Sequence, residues 1–225
     1  MYQLELHFHT DESSRCGKVP AAEGVRMHIE QGYDGLVVTD HFSENALGGP
    51  DGDWTEICRH FLRGYHLAKK AAAEAGDFRV YLGMEIRFPH DENDFLVYGM
   101  KEDFFARYQW IYMKELPDLW EIAEAERLTI IQAHPFRKMC FPADIRFLHG
   151  IEIMNGNPRH DSRNNLAKEM ARREGLVGTA GSDFHQIPDL AGCCVRMANL
   201  PADEQELARV IREGRFEAAA TSSAG

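Results

Sequence analysis

Five cysteines among 225 residues, none in a CxxC pair and none at zinc-finger spacing, leave no disulfide framework and no structural zinc knuckle to build on. Reduced thiols in a cytoplasmic protein are the expectation. No stretch approaches the roughly 18 apolar residues of a membrane span, and residues 1–9 lack the basic-then-apolar pattern of a secretory leader. Basic residues are also scarce: 25 Lys and Arg against 36 Asp and Glu give a net charge of −11. Sequence-independent nucleic-acid binding needs a basic surface to displace phosphate counterions, so a long nucleic acid is not an expected partner. There is no internal repeat and no low-complexity tract. A phosphate-cradling loop is missing too, because Gly48-Gly49-Pro50 lacks the Lys-Ser/Thr that would follow. Nothing in the pattern speaks to oligomeric state.

What is present is a globular composition, 44% hydrophobic and 27% charged. It predicts one domain over residues 1–217, with the small, polar residues 218–225 as a fraying tail. Apolar, β-like runs fall at 3–7, 36–39, 79–87, 95–100, 129–133, 150–154 and 177–180. Helix-like segments lie between them at 21–31, 54–75, 118–127, 163–173 and 204–213, several opened by Pro and closed by Gly. Alternating strands and helices predict an α/β fold with a parallel sheet or barrel. Functional groups should then gather at the C-terminal strand ends.

The histidines follow that rule. Period-two alternation puts His7 and His9 on one face of the first strand, where two imidazoles can grip one metal ion. Leu36-Val37-Val38-Thr39 ends in Asp40-His41, Glu85 interrupts Tyr81-Leu82-Gly83-Met84, and Ile130-Ile131-Gln132-Ala133 ends in His134. Val177-Gly178-Thr179-Ala180 leads to Gly181-Ser182-Asp183-Phe184-His185. Imidazoles and carboxylates clustered without compensation would bear a desolvation cost, which divalent metals relieve.

In order and content these runs resemble the PHP family, the polymerase and histidinol phosphatase domain. Its His-x-His motif is similar to His7-Phe8-His9, its Thr-Asp-His to Thr39-Asp40-His41, its third motif to Ala133-His134-Pro135, and its Asp-x-His to Asp183-Phe184-His185. Its metal-bridging Glu matches Glu85. The resemblance implies a distorted (β/α)7 barrel with a di- or trinuclear site of Zn, Mn or Fe. By position, His7, His9, Glu85 and Asp183 would hold one metal, Glu85 and His134 a second, and His41 and His185 a third. Two positions depart from the family. A further His after the first motif is replaced in the segment Ser13-Ser14-Arg15-Cys16-Gly17, where Cys16 faces the third site or is a structural thiol. A His opening the strand after the Glu is replaced by Asp94, which ligates a metal or caps a turn.

The implied function is hydrolysis of a small phosphomonoester, as in histidinol phosphatases, by attack of a metal-bridging hydroxide. Asp183 and His185 are the candidates to shuttle the leaving-group proton. Arg137 is the expected phosphate contact, with Arg15 and Arg159 as further candidates. Asp40, Glu152 and Asn155 are expected to orient ligands. Rival readings are a nucleotide phosphodiesterase or nuclease, a non-catalytic metal-binding PHP module, and metal-dependent amide hydrolysis. The acidic balance would then repel long polyanions while a metal-filled mouth attracts small ones. Trp54, Phe104, Phe105, Tyr108, Trp110 and Tyr112 either shape a pocket at the mouth or form a core beneath a lid.

Overall fold

Each apolar run becomes a strand, and the chain order of elements follows from them. The computed structural model describes residues 1–190 and 192–221. It runs β1 (Tyr2–Phe8), α1 (Ala21–Glu30), β2 (Gly35–Val38), β3 (His41–Phe42), α2 (Glu44–Leu47), α3 (Trp54–Ala75), β4 (Arg79–Ile86) and β5 (Phe95–Tyr98). It continues through α4 (Asp103–Arg107), α5 (Leu116–Glu126), β6 (Thr129–Gln132), β7 (Gly150–Asn155), α6 (Asn164–Glu174) and β8 (Val177–Gly181). The last elements are β9 (Cys193–Met197), α7 (Glu204–Arg212) and β10 (Glu217–Ala220). Among the described residues, no helix is long and apolar enough to cross a membrane.

The strands make a barrel-shaped sheet in the order β10-β9-β1-β2-β4-β5-β6-β7-β8, with β3 pairing β4 off that path. It nearly closes where β8 returns to β1. Phe8 bridges Phe184 just beyond β8, where the His9 N–H donates to the Phe184 carbonyl at 2.9 Å and the Phe184 N–H to the His7 carbonyl at 3.1 Å. Gly181 permits that approach: a Cβ there would come within 2.5 Å of the His7 Cβ. The result is a distorted α/β barrel.

Three local outcomes differ from the sequence reading. β5 runs antiparallel to both β4 and β6 rather than parallel. The segment joining β4 to β5 contains no helix, and a parallel return needs a crossover of a dozen or more residues. β9 was not foreseen, and it pairs antiparallel with both β1 and β10. The expected fraying from residue 218 is corrected as far as Ala220. Glu217–Ala220 forms β10, and Ala219 packs with Tyr33 and Cys194. Alanine is a poor strand former, but the ladder to β9 overrides the propensity. The remainder of that expected tail, residues 222–225, lies outside the described residues.

The aromatics at the mouth fall on the core side of the alternative. Phe104, Phe105 and Tyr112 are buried, and Trp54, Tyr108 and Trp110 pack against the same cluster. α3 lies over the barrel with Gly64 facing Thr10 and Asp40, where a Cβ would collide with Thr10 Oγ1 at 2.1 Å.

Candidate metal centre

Seven side chains expected at the strand ends converge on one buried cluster. His7 Nε2 lies 3.1 Å from Glu85 Oε1 and 3.4 Å from Asp183 Oδ1. His9 Nε2 lies 3.3 Å from Glu85 Oε2 and 3.6 Å from Asp183 Oδ1. His41 Nδ1 approaches Glu85 Oε2 at 2.8 Å, and His134 Nε2 approaches Glu85 Oε1 at 3.3 Å. His185 Nδ1 is 3.3 Å from Asp183 Oδ1. Glu85 is thus common to four imidazoles, because β4 carries it between β3, with its His41, and the β5–β6 edge that leads to His134.

The outer faces of these rings are fixed by hydrogen bonds. His7 Nδ1 meets Glu152 Oε1 at 3.0 Å. The other Glu152 oxygen accepts from the His134 N–H at 3.0 Å and from Asn155 Nδ2 at 2.9 Å. His9 Nδ1 meets Ser14 Oγ at 3.3 Å. That hydroxyl donates to Asp40 Oδ1 at 2.7 Å, so it can only accept from the ring. Asp40 also accepts from the Thr10 N–H and hydroxyl, each at 2.8 Å. Burial raises the Asp40 carboxyl to about 6 against these hydrogen bonds. With the protons of His7 and His9 on Nδ1, their Nε2 lone pairs point inward at carboxylate oxygens.

Acceptors therefore face acceptors. His7 Nε2, His9 Nε2 and both Glu85 oxygens are buried without a hydrogen-bond partner. Orphaned buried polar atoms are rare and costly. A cation between them removes the conflict, so the donor set fits divalent metals. Four groupings have ligand atoms within 4.8 Å of one another: His9, His41 and His185; His7, His9 and Glu85; His7, His134 and Asp183; and His41, Glu85 and Asp94. Backbone strain marks the same place: His134 has φ +28° and Asp183 φ +52°, left-handed values that non-glycine residues seldom adopt.

Protonation of an imidazole would relieve the same conflict, and the carboxylates favour it. Burial opposes charge on His7, but the carboxylates of Asp183, Glu85 and Glu152 outweigh it and hold the ring well above its ordinary value. His134 is likewise raised, to about 9, by Cys140 and Glu85 against burial. Burial and the neighbouring His185 and His41 push His9 well below its ordinary value. Glu85 and Asp183 are held low by the surrounding cations in spite of burial, which favours their neutral forms.

The remaining candidates differ in placement. Arg137 Nη2 donates to Asp183 Oδ2 at 2.6 Å and to Asn155 Oδ1 at 3.0 Å, so it steadies an acid of the cluster where a free phosphate contact was expected. Arg159 forks through Nε and Nη2 onto buried Asp189 at 2.7 and 2.8 Å, and Asp189 Oδ2 also accepts from the His185 N–H at 3.0 Å, so this guanidinium braces the loop that carries His185 where a phosphate contact was expected. Asp94 caps no turn. Its oxygens receive Arg87 at 2.7 and 2.5 Å, and Oδ2 is 3.9 Å from His134 Nε2. Arg15 and Cys16 line a cavity of about 220 Å³ with His41, Ser43, Arg87 and Asp94.

Two supporting residues escaped the sequence reading. Glu5 accepts from the His7 N–H at 2.8 Å and the Ser182 N–H at 2.9 Å, and burial pushes its carboxyl up to about 7. Alternation along β1 places Glu5, His7 and His9 on one face, which was the available signal. Ser14 had no such signal, because a loop hydroxyl reveals its partner only in three dimensions.

A PHP-associated family model matches residues 161–216, a span that includes Asp183 and His185. No curated protein matches. Among solved structures, PsfC from Pseudomonas syringae is similar with a TM-score of 0.66 at 16% identity, over 92% of this chain and 88% of that one. A protein assigned as a metal-dependent phosphoesterase from Bifidobacterium adolescentis is similar with a TM-score of 0.56 at 16% identity, over 93% and 96%. A lesion-specific endonuclease from Pyrococcus furiosus is similar with a TM-score of 0.59 at 12% identity, over 96% of this chain and 57% of that one. These similarities show a shared α/β-barrel fold over most of the chain, and the match to the PHP-associated family model covers residues 161–216.

Proposed function

We propose that this chain is a metal-dependent phosphoesterase hydrolysing a small phosphomonoester. The observation that carries the reading is the set of buried acceptors, His7 Nε2, His9 Nε2 and both Glu85 oxygens, facing one another without partners. His7, His9, Glu85, His134 and Asp183 would hold two divalent ions, and His41 and His185 offer donors for a third; Zn, Mn or Fe suits imidazole and carboxylate. Such ions supply Lewis-acid stabilisation and an activated water at neutral pH.

The chain's own groups do the rest. Glu152 and Ser14 orient the His7 and His9 rings, and Arg137 with Asn155 fixes Asp183. His185 Nδ1 is held by the Asp183 carbonyl at 2.9 Å, which leaves Nε2 to ligate a third ion or, where only two ions are held, to carry the leaving-group proton beside Asp183. Arg15 is the guanidinium open to the cavity and takes the role of phosphate contact. At about 220 Å³ that cavity is below the roughly 300–1,000 Å³ of drug-sized sites, which suits a small ester. The unpaired cysteines suit a reducing cytoplasm.

A second reading, nucleotide phosphodiesterase, draws on the similarity to the lesion-specific endonuclease. The net charge of −11 argues against long polyanions but not against a mononucleotide. The test is phosphate release by metal-repleted protein from sugar, amino-alcohol and nucleotide monoesters, histidinol phosphate among them, beside matching diesters. Release from monoesters is expected. Turnover of diesters alone would overturn the monoesterase reading, and no turnover at full metal occupancy would favour a non-catalytic module.

A further inference from the structure

We propose that the cavity at the metal cluster continues outward into a second cavity that takes the leaving group, and that this group is uncharged and hydroxyl-bearing, as in a sugar or polyol phosphate. Arg87 stands at the joint and is the specificity-determining residue. The inference rests on the phosphomonoesterase reading and deepens it by naming the substrate class. The inner cavity, whose wall includes His41 and Asp94 of the cluster, shares Ser43, Asn45 and Arg87 with an outer one of about 300 Å³. The outer one adds the carboxylates of Glu44, Asp91 and Glu92. An ester with its phosphoryl group at the cluster has this direction open for the rest of the molecule.

The end of β4 sets Arg87 in place. Glu85 and Arg87 are two residues apart, so strand alternation puts them on one face, with Arg87 further toward the mouth. The register of β4 with β5, Glu85 against Leu96 and Ile86 against Phe95, brings Arg87 opposite Asp94. The Arg87 N–H donates to the Phe42 carbonyl at 3.4 Å, which ties it to β3 as well. Buried Asp94 takes Nε at 2.7 Å and Nη2 at 2.5 Å, a fork that fixes the plane of the guanidinium. That leaves Nη1, 3.9 Å from Glu92 Oε2, for a ligand. Ser43 Oγ accepts from the Ala46 N–H at 3.3 Å, so its hydroxyl proton is left to donate.

The lining thus has both hydrogen-bonding senses, donors at the joint and carboxylate acceptors beyond it. An anionic leaving group would meet three carboxylates. An apolar one would strip water from them and return no hydrogen bond. A cationic one would satisfy the carboxylates but leave the donors of Arg87, Asn45 and Ser43 unanswered. A hydroxyl answers both, because it donates to a carboxylate and accepts from Nη1 or the Asn45 amide.

The test uses the full chain with metal restored and four probes: glucose 6-phosphate, cyclohexylmethyl phosphate as its hydroxyl-free counterpart, phosphoethanolamine and fructose 1,6-bisphosphate. The hexose monophosphate should be preferred over each of the others by about 10-fold or more in kcat/KM. Arg87→Lys keeps a cation beside Asp94 but loses the fork, and should narrow the preference over the hydroxyl-free ester about 10-fold, chiefly through KM. Asn45→Ala, which leaves the Asp94 fork in place, should narrow it in the same direction with metal content and circular dichroism spectrum unchanged. Preference for the amine, the bisphosphate or the hydroxyl-free ester, or a hexose preference that neither variant narrows, would overturn the proposal and leave the phosphoesterase reading standing. No turnover of any monoester by metal-loaded protein would overturn both.

Discussion

β3 is two residues long, and its two side chains enter opposite worlds. His41 reaches Glu85 and the polar cluster, whereas Phe42 enters an aromatic cluster with Phe61 at 4.7 Å, Tyr112 at 5.0 Å and Phe105 at 5.3 Å between centroids. Both clusters are dense and largely dry. In the aromatic one the polar tips of Trp54 and Tyr112 are answered: Trp54 Nε1 donates to the Phe105 carbonyl at 2.8 Å and the Tyr112 hydroxyl to the Gly48 carbonyl at 2.9 Å. In the polar one four acceptor atoms are left facing acceptors. The first is complete as a folded protein; the second is complete only with cations. Burial alone does not distinguish core from site, but unanswered polarity does.

The comparison breaks most sharply at Glu85. Glu85→Gln should release the metals and cut phosphate release by more than about 100-fold, beyond the 10–100-fold typical of residues that merely support ligands. Phe61→Ala should do the reverse, costing about 3–5 kcal/mol in urea unfolding while metal content per folded molecule stays unchanged. If Phe61→Ala strips metal without loss of stability, the two regions are not separable as described.

Smaller effects sharpen the contrast. Glu152→Gln keeps the shape but weakens the hold on His7, so metal affinity should fall about 10–100-fold in competition with a chelator. pH separates the clusters as well. Without metal, His134 titrates at about 9 in the folded chain against an ordinary 6.5, so its stabilisation is whole below 6.5 and lost as pH rises through about 9. His7 and His41, also raised, add in the same direction. The Tm of metal-free protein should therefore fall by a few degrees across that window. Metal-loaded protein should not show this fall, because ligation requires neutral imidazole. Tyr112→Phe, on the aromatic side, removes one hydrogen bond and should cost about 1 kcal/mol with no change in metal content or pH response.

What could be read beforehand divides along the same line. His7, His9, His41, Glu85, His134, Asp183 and His185 were legible because each ends or interrupts an apolar strand, and the barrel brings strand ends together. Their supports were less so. Glu152 and Asn155 followed from their strand, but Arg137 turned out to hold Asp183 and Arg159 to hold Asp189. A guanidinium in sequence says only that it seeks an anion; which anion is a matter of loop geometry. The antiparallel turn of β5 and the pairing of β10 with β9 were hidden for a related reason. Strand direction and partners depend on contacts remote in sequence, whereas apolar periodicity is local.

The central claim is that the unanswered acceptors mark seats for divalent ions. Elemental analysis of untreated protein, set beside Glu85→Gln purified identically, tests it most directly. The account predicts two or three Zn, Mn or Fe ions per chain in the first and a marked deficit in the second. A wild-type chain free of metal after repletion, or a Glu85→Gln chain holding the full complement, would contradict it.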